Sequence, residues 1–191
     1  MRERTYHHGD LRRAVLAAAL DVISAEGPAA LSLRDLARRA GVSHAAPAHH
    51  FKDRAGLLTA IAAEGYALLA DALAQAPDLR ERGVAYVRFA LAHPAHFQVM
   101  FQPDLYRTGD PGLLAAKERA SAELRAGITT LGTTPDPRTA GIAAWSLAHG
   151  FATLLLTHNL TAPLDDRDPE EMFRTLTGLL FTPEMRQVPR E

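Results

Sequence analysis

Cysteine is absent from this chain, which excludes a disulfide framework, a thiolate zinc site and thiol chemistry. Lysine is scarce: two of the 21 basic side chains are lysine and the rest are arginine. No uninterrupted run of eighteen apolar residues occurs, so no membrane span is expected. The amino terminus is polar and lacks the apolar stretch of a signal peptide, so a cytoplasmic location is the expectation. Gly-x-Ser-x-Gly, His-Glu-x-x-His and phosphate-loop patterns are all missing, and with them any motif-based case for catalysis. Alternating runs of β-branched residues are missing too, so no strand is expected, and no internal repeat is visible.

What remains is ordinary in bulk and uneven in distribution. The 191 residues are 47% hydrophobic and 23% charged, as in a soluble globular protein long enough for a sizeable core. Net charge is −1, but residues 1–60 carry +3 and the remainder −4, and the first sixty hold five of the nine histidines. A basic head on an acidic body suits an end that meets an anion.

The stretch from Ser32 to Phe51 is the one the rest serves. Ser32 and Asp35 nearly form a capping box, with Asp in place of Glu or Gln. Leu33, Leu36, Ala37 and Ala40 repeat at helical spacing, and Gly41 follows where a left-handed turn costs nothing. Ser43 is expected to cap a second short helix running to His50 and Phe51. Two short helices joined by a Gly-containing turn form a helix-turn-helix, whose second helix enters a DNA major groove. The same pattern also serves as plain core architecture. What favours DNA is a second helix that exposes Ser43, His44, His49 and His50, with Lys52 and Arg54 just behind.

His44 and Ala45 fall near the helix start, where base edges are read, and Ala45 or Ala46 suits a thymine methyl group. Ser32, with the free amides of its helix, suits a phosphate, and Lys52 and Arg54 are placed for the DNA backbone. Neighbours on a helix point about 100° apart, so His49 and His50 cannot both face a base. For His50 the alternative is packing against Phe51 and the first helix.

Arg4, Thr5 and Tyr6 lie in a polar arm suited to phosphates or a minor groove. From Asp10 a helix carries the stripe Leu11, Val15, Ala18, Ala19, Val22 and Ile23 and stops at Gly27-Pro28, completing a three-helix head. Asp53 is placed to cap a long helix that runs through Tyr66 to Gln75 and links head to body. Further helices are expected at 78–92, 94–101, 111–130, 137–158 and 169–181. The last three begin at Asp110-Pro111, Asp136-Pro137 and Asp168-Pro169, where Asp accepts free amides and Pro fits the first position. The expected fold is all-α, with nine helices and no sheet.

Residues 5–12 (Thr-Tyr-His-His-Gly-Asp-Leu-Arg), 31–43 (Leu-Ser-Leu-Arg-Asp-Leu-Ala-Arg-Arg-Ala-Gly-Val-Ser) and 49–58 (His-His-Phe-Lys-Asp-Arg-Ala-Gly-Leu-Leu) resemble the amino-terminal domain of TetR-family transcriptional repressors. The resemblance implies a TetR-like fold with a flexible arm at 1–9 and a helix-turn-helix DNA-binding domain at 10–56. It further implies an effector-binding and dimerisation domain at 57–181 and a tail at 182–191. By the same resemblance the chain is a ligand-responsive repressor, binding an inverted repeat in double-stranded DNA as a homodimer, with no catalysis and no cofactor. It departs from the family at Ala48, where a phosphate-contacting Tyr is usual, and at Arg54, where Lys is more usual.

In the helix at 137–158, Ile142, Trp145, Leu147, Phe151, Leu154, Leu155 and Leu156 cover most of the circumference. Such a helix is buried on every side, and one small body cannot enclose it, so a second copy is expected to supply part of the cover. The stripe Met172, Phe173, Leu176, Leu179 and Leu180 would complete a four-helix interface. Its expected residues are Trp145, Phe151, Leu155, Met172, Phe173, Leu176 and Leu180. Trp145-Ser-Leu-Ala-His149-Gly150 resembles the Trp…His-Gly signature of one TetR subgroup, and His93 to Phe97 with Met100-Phe101 resembles its preceding short helix. Tyr66, Phe89, Phe97, Met100, Phe101, Tyr106, Trp145 and His149 are the expected lining of a mostly apolar pocket for a small-molecule effector. Any one of them alone fits an ordinary core better than a ligand contact; the pocket is read from the group. His93, His96, His149 and His158 lack the spacing for three converging ligands, so no metal site is assigned. The competing readings are a helical small-molecule-binding or interaction protein that has lost DNA reading, and, further off, a metal sensor or an all-α enzyme.

Overall fold

Residues 8–130 and 136–181 are described by the structure, a computed structural model. They form ten α-helices: α1 (His8–Glu26), α2 (Leu33–Arg39), α3 (Ala46–Phe51), α4 (Arg54–Ala74), α5 (Leu79–Ala92), α6 (Pro94–Met100), α7 (Pro111–Thr129), α8 (Pro137–Leu156), α9 (Thr161–Leu164) and α10 (Pro169–Phe181). Short 3-10 turns occupy Pro28–Ala30 and Pro103–Leu105, and no strand occurs among the described residues.

The nine expected helices are present, and α9 is an addition. It is a single turn containing Pro163 and begun without a side-chain cap, so it is too short to show periodicity in a sequence. The aspartate caps form as their chemistry requires. Asp53 accepts from the Gly56 N–H at 2.9 Å, Asp110 from Leu113 at 3.0 Å, and Asp168 from Glu171 at 3.1 Å. Asp136 accepts from both Arg138 and Thr139.

The far end of α8 falls at Leu156 and not at residue 158. His158 takes a positive φ of 59°, its N–H reaching the Leu155 carbonyl and that of Asn159 the Leu154 carbonyl. That is a Schellman stop built on histidine in place of glycine.

Two compact units result. The first holds the described residues up to Leu68 together with His93–Arg119; the second holds Leu69–Ala92 and the described residues from Ala120 onward. In the first, Val15, Ile23, Leu36, Phe51, Leu58, Ile61, Val99, Tyr106 and Leu113 share one apolar core. The three-helix head at 10–56 is small for a core of its own, and α4, α6 and the start of α7 supply the missing apolar faces. The packing division therefore does not fall at residue 56.

In the second unit α5 packs on α8 and α10. Bidentate pairs tie α5 to α10: Arg88 to Glu170 at 2.5 and 2.6 Å, and Arg174 to Glu81 at 2.9 Å twice. Buried Arg82 holds α7 by donating to both the carbonyl and the carboxylate of Glu123 at 2.7 Å.

By length and composition α4 and α8 would each suffice to cross a membrane. The same test is passed by core and interface helices. In α4 the apolar residues Leu57, Leu58 and Ile61 are spent on the first unit's core.

Candidate functional site

Ser32 stands at the N-cap of α2 in extended conformation, but its hydroxyl makes no cap bond. The expected capping box is absent because Asp35, one methylene shorter than Glu, turns outward to Arg38 and to Arg39, at 2.6 Å from the latter. Those two hydrogen bonds, Arg38 first, hold its carboxyl below the ordinary range. The hydroxyl of Ser32 is thus left exposed at the head of α2. Gly41 has φ +65°, its N–H bonded to the Arg38 carbonyl and that of Val42 to Ala37, which stops α2 as expected.

The second helix starts later than expected. Ser43 does not cap it; the Ser43 carbonyl accepts from the Ala46 N–H at 3.0 Å in a turn, and the N-cap is Ala45. Pro47 is the reason. A helix capped at Ser43 would put Pro47 four residues on, where its ring meets the Ser43 carbonyl and no N–H is available. Starting at Ala46 instead moves Pro47 into the first turn, where proline is tolerated.

Ser43, His44, Ala45, Ala48, His49 and Lys52 are exposed, while Pro47 and Phe51 are buried and Ala46 and His50 half-buried. The His50 ring lies 5.3 Å from His49, edge-on, and 6.3 Å from Phe51. The Arg12 guanidinium sits 5.4 Å over Phe51, fixing the buried edge of α3 to α1.

Lys52 joins α3 to α4 with φ 68° and ψ −60°, the Asp53 N–H closing onto the Phe51 carbonyl at 2.9 Å. This is a strained γ-turn for a residue with a side chain. Arg54 does not extend toward solvent as expected: it is half-buried and donates to the Pro28 carbonyl at 2.7 Å. Its role is to pin α4 to the turn after α1. Arg4, Thr5 and Tyr6 lie outside the described residues.

The expected effector residues divide between the units. In the first, the Tyr66 and Tyr106 hydroxyls both donate to the Met100 carbonyl, at 3.2 and 2.7 Å. Phe101 packs edge-on to Tyr66, and Phe97 lies 5.0 Å from Phe101. In the second, Trp145 lies 5.9 Å from His149, whose Nδ1 is 2.9 Å from the Tyr86 hydroxyl, and Phe89 is buried. Burial pushes the His149 imidazole below its ordinary pKa. Sequence reasoning missed Tyr86, although it stands one turn before Phe89 on the same helix. It also missed Lys117, whose signal was rarity alone. A groove of about 690 Å³ runs between α7 and α8, with Leu124, Arg125, Ile128, Arg138, Ile142 and Trp145 among its lining. Only Trp145 of the expected effector residues borders it.

Of the expected interface residues, Phe151 and Phe173 are instead core, their rings 5.5 Å apart within the second unit. The Phe173 ring packs over Gly83 of α5, where no side chain stands in its way. Leu155, Met172 and Leu176 are half-buried, and the side chain of Leu180 is outside the described set. On α8 and α10 the exposed large apolar residues are Ile142 at 63%, Trp145 at 45%, Leu154 at 43% and Leu179 at 66%; Leu91 on α5 and Leu114 on α7 are exposed as well. No group of three His, Asp or Glu side chains that could hold a metal ion occurs among the described residues.

Residues 15–61 match the profile of bacterial regulatory proteins of the tetR family, and residues 79–180 match that of the tetracyclin repressor-like C-terminal domain. The chain belongs to the TetR family. TetR proteins are DNA-binding regulators and not enzymes, and α2 with α3 is the helix-turn-helix by which they bind. A protein of unknown function from Rhodococcus sp. RHA1 is similar at 33% identity, over 94% of this chain and 97% of that one, with a TM-score of 0.75. The TetR regulator PfmR of Thermus thermophilus is similar at 23% identity, over 92% and 99%, with a TM-score of 0.65. NalD, the secondary repressor of the MexAB-OprM multidrug efflux pump in Pseudomonas aeruginosa, is similar at 22% identity, over 91% and 94%, with a TM-score of 0.58. The likeness to the last two is one of fold. Among curated proteins nothing matches the chain.

Proposed function

We propose that this TetR regulator is a ligand-responsive repressor that binds an inverted-repeat operator as a homodimer. The head at 10–56 reads DNA, and residues 57–181 carry effector binding and dimerisation. The observation that carries the reading is the uncovered surface made by Ser43, His44, Ala45, Ala48, His49 and Lys52 at and around α3. Ser43 and His44 before α3, His49 on it and Lys52 at its end are bare polar donors, which match phosphates and base edges. The strained backbone at Lys52 supports it further, since such strain collects where a side chain must be aimed. Two such heads meet half-sites about one helical turn apart. Trp145, His149 and Gly150 resemble the Trp…His-Gly subgroup signature, and the Tyr86–His149 hydrogen bond holds that imidazole beside Trp145.

Fluorescence anisotropy on the DNA upstream of the gene tests this. Lys52→Ala is expected to lower the slope of log affinity against log salt by about one unit. Arg54→Ala is expected to leave the slope alone, its guanidinium being committed to Pro28. Ala48, exposed where the family usually places a phosphate-contacting Tyr, favours the second reading of a head that no longer reads DNA. A folded protein that retains no genomic fragment at low salt decides for that reading.

A further inference from the structure

Lys117, on α7, is one of only two lysines in the chain. Its Nζ lies 5.3 Å from the ring centroid of Tyr66 and 5.2 Å from that of Tyr106. Both rings are fixed, because both hydroxyls donate to the same Met100 carbonyl. An ammonium has three donors, and aromatic faces attract its charge without accepting those protons in ordinary hydrogen bonds. No carboxylate among the described residues pairs with it. Neither does a phenolate: burial, and then Tyr106, hold the Tyr66 phenol above its usual range, so it stays a neutral O–H. Lys117, Tyr66 and Phe101 are each half-buried, so this group is not sealed in the core. Phe101 and Phe97 extend the aromatic wall beyond the two tyrosines.

A half-desolvated cation with unused donors beside an apolar wall is complementary to one kind of molecule. We propose that Lys117 is the anion-recognition point of the effector site, and that the effector is a small amphipathic carboxylate whose apolar part packs on half-buried Phe101, with buried Phe97 behind it. A cationic ligand is disfavoured, since the resident ammonium already occupies the tyrosine faces and repels it. The site lies within the unit that contains the helix-turn-helix, and Tyr106 shares its apolar core with Leu36 of α2 and Phe51 of α3. A ligand that shifts Tyr66 and Tyr106 therefore acts on the packing that orients α3. The proposal rests on reading the chain as ligand-responsive, and it narrows that reading to a chemical class.

The scarcity of lysine makes the test direct. Reductive methylation of the protein with 13C-formaldehyde and a borane reductant gives NMR signals from Lys52, Lys117 and the terminal amine, keeps the Lys117 charge and one N–H, and the rings displace the Lys117 signal upfield. Sodium phenylbutyrate is expected to move that signal and raise the melting temperature, while uncharged phenylbutyramide does neither. Lys117→Met is expected to weaken the carboxylate roughly tenfold, as loss of a charged hydrogen bond does, and Lys117→Arg to retain most of it. Equal effects of acid and amide, or no effect of either on the wild-type signal, overturn the site without reference to any variant. Operator binding on the same sample separates the two claims. If DNA is bound while the carboxylate is ignored, the anion site falls and the DNA-binding reading stands; if the carboxylate binds while DNA does not, the reverse holds.

Discussion

His96 is buried on α6, and its Nε2 makes no hydrogen bond, with the nearest Glu64 carboxylate oxygen 3.6 Å away. Burial lowers its pKa, and the opposing pull of Glu64 is the smaller influence. The consequence for stability has a definite sign. In the unfolded chain His96 takes its proton near pH 6.5, whereas in the folded chain it takes it only at lower pH. Below about pH 6.5 the unfolded state therefore binds more protons, and stability falls as the pH drops toward the folded value. His149, lowered by burial alone, adds in the same direction. Urea unfolding at about pH 7.5 and about pH 5.5 is expected to show weaker folding at the lower pH. His96→Gln is expected to flatten that difference, and an unchanged difference would assign it to other groups.

Between elements, the junction of α3 and α4 is the tightest. A Cβ on Gly56 would lie 1.9 Å from the Phe51 carbonyl oxygen and 2.7 Å from Arg107 Nη1. That carbonyl is already the acceptor of the γ-turn at Lys52, so the backbone has no room to retreat. Gly56→Ala is expected to cost about 3 kcal/mol and to displace α3 enough to abolish operator binding. Gly109→Ala, whose Cβ meets nothing within 4 Å, is the neutral control. Calorimetry and anisotropy on both variants check the pair; equal behaviour would remove the constraint at Gly56.

This scale also marks what could be read from sequence. Helix starts at Asp53, Asp110, Asp136 and Asp168 were legible because a cap is local chemistry, settled within four residues. The start of α3 was misread where a local rule for Ser43 was overruled by Pro47, another local rule given no weight. The end of α8 was hidden because histidine, not glycine, holds the left-handed position. Phe173 looks like interface in the sequence and is core in the protomer, since its ring packs over Gly83 of α5 and against Phe151, contacts between positions far apart in the chain. The setting of Lys117 depends on three separate elements meeting, which no spacing along one of them reveals.

For the whole molecule, what the second unit leaves uncovered is the informative part. Ile142, Trp145 and Leu154 on α8 and Leu179 on α10 are large apolar side chains facing solvent. A Cβ added at Gly150 or Gly178 would meet nothing within 4 Å in the protomer, so both helices have flat stretches where a partner helix fits closely. Isolated exposed leucines, such as Leu91 on α5, need no explanation, but four large groups on α8 and α10 form surface of the kind that chains cover by association. In the homodimer proposed above, a second copy would supply the same two helices and give a four-helix contact. Leu154→Glu with Leu179→Glu is expected to yield a monomer in sedimentation, because four carboxylates would be desolvated across such a contact. Trp145, the only tryptophan, reports on the same event: its emission should shift to the red in the double variant and, for the wild type, on dilution. Operator affinity should fall much further than protomer stability, since two tethered heads bind a palindrome far more tightly than one alone. A double variant that stays dimeric with unchanged Trp145 emission would move the interface to another face of the second unit.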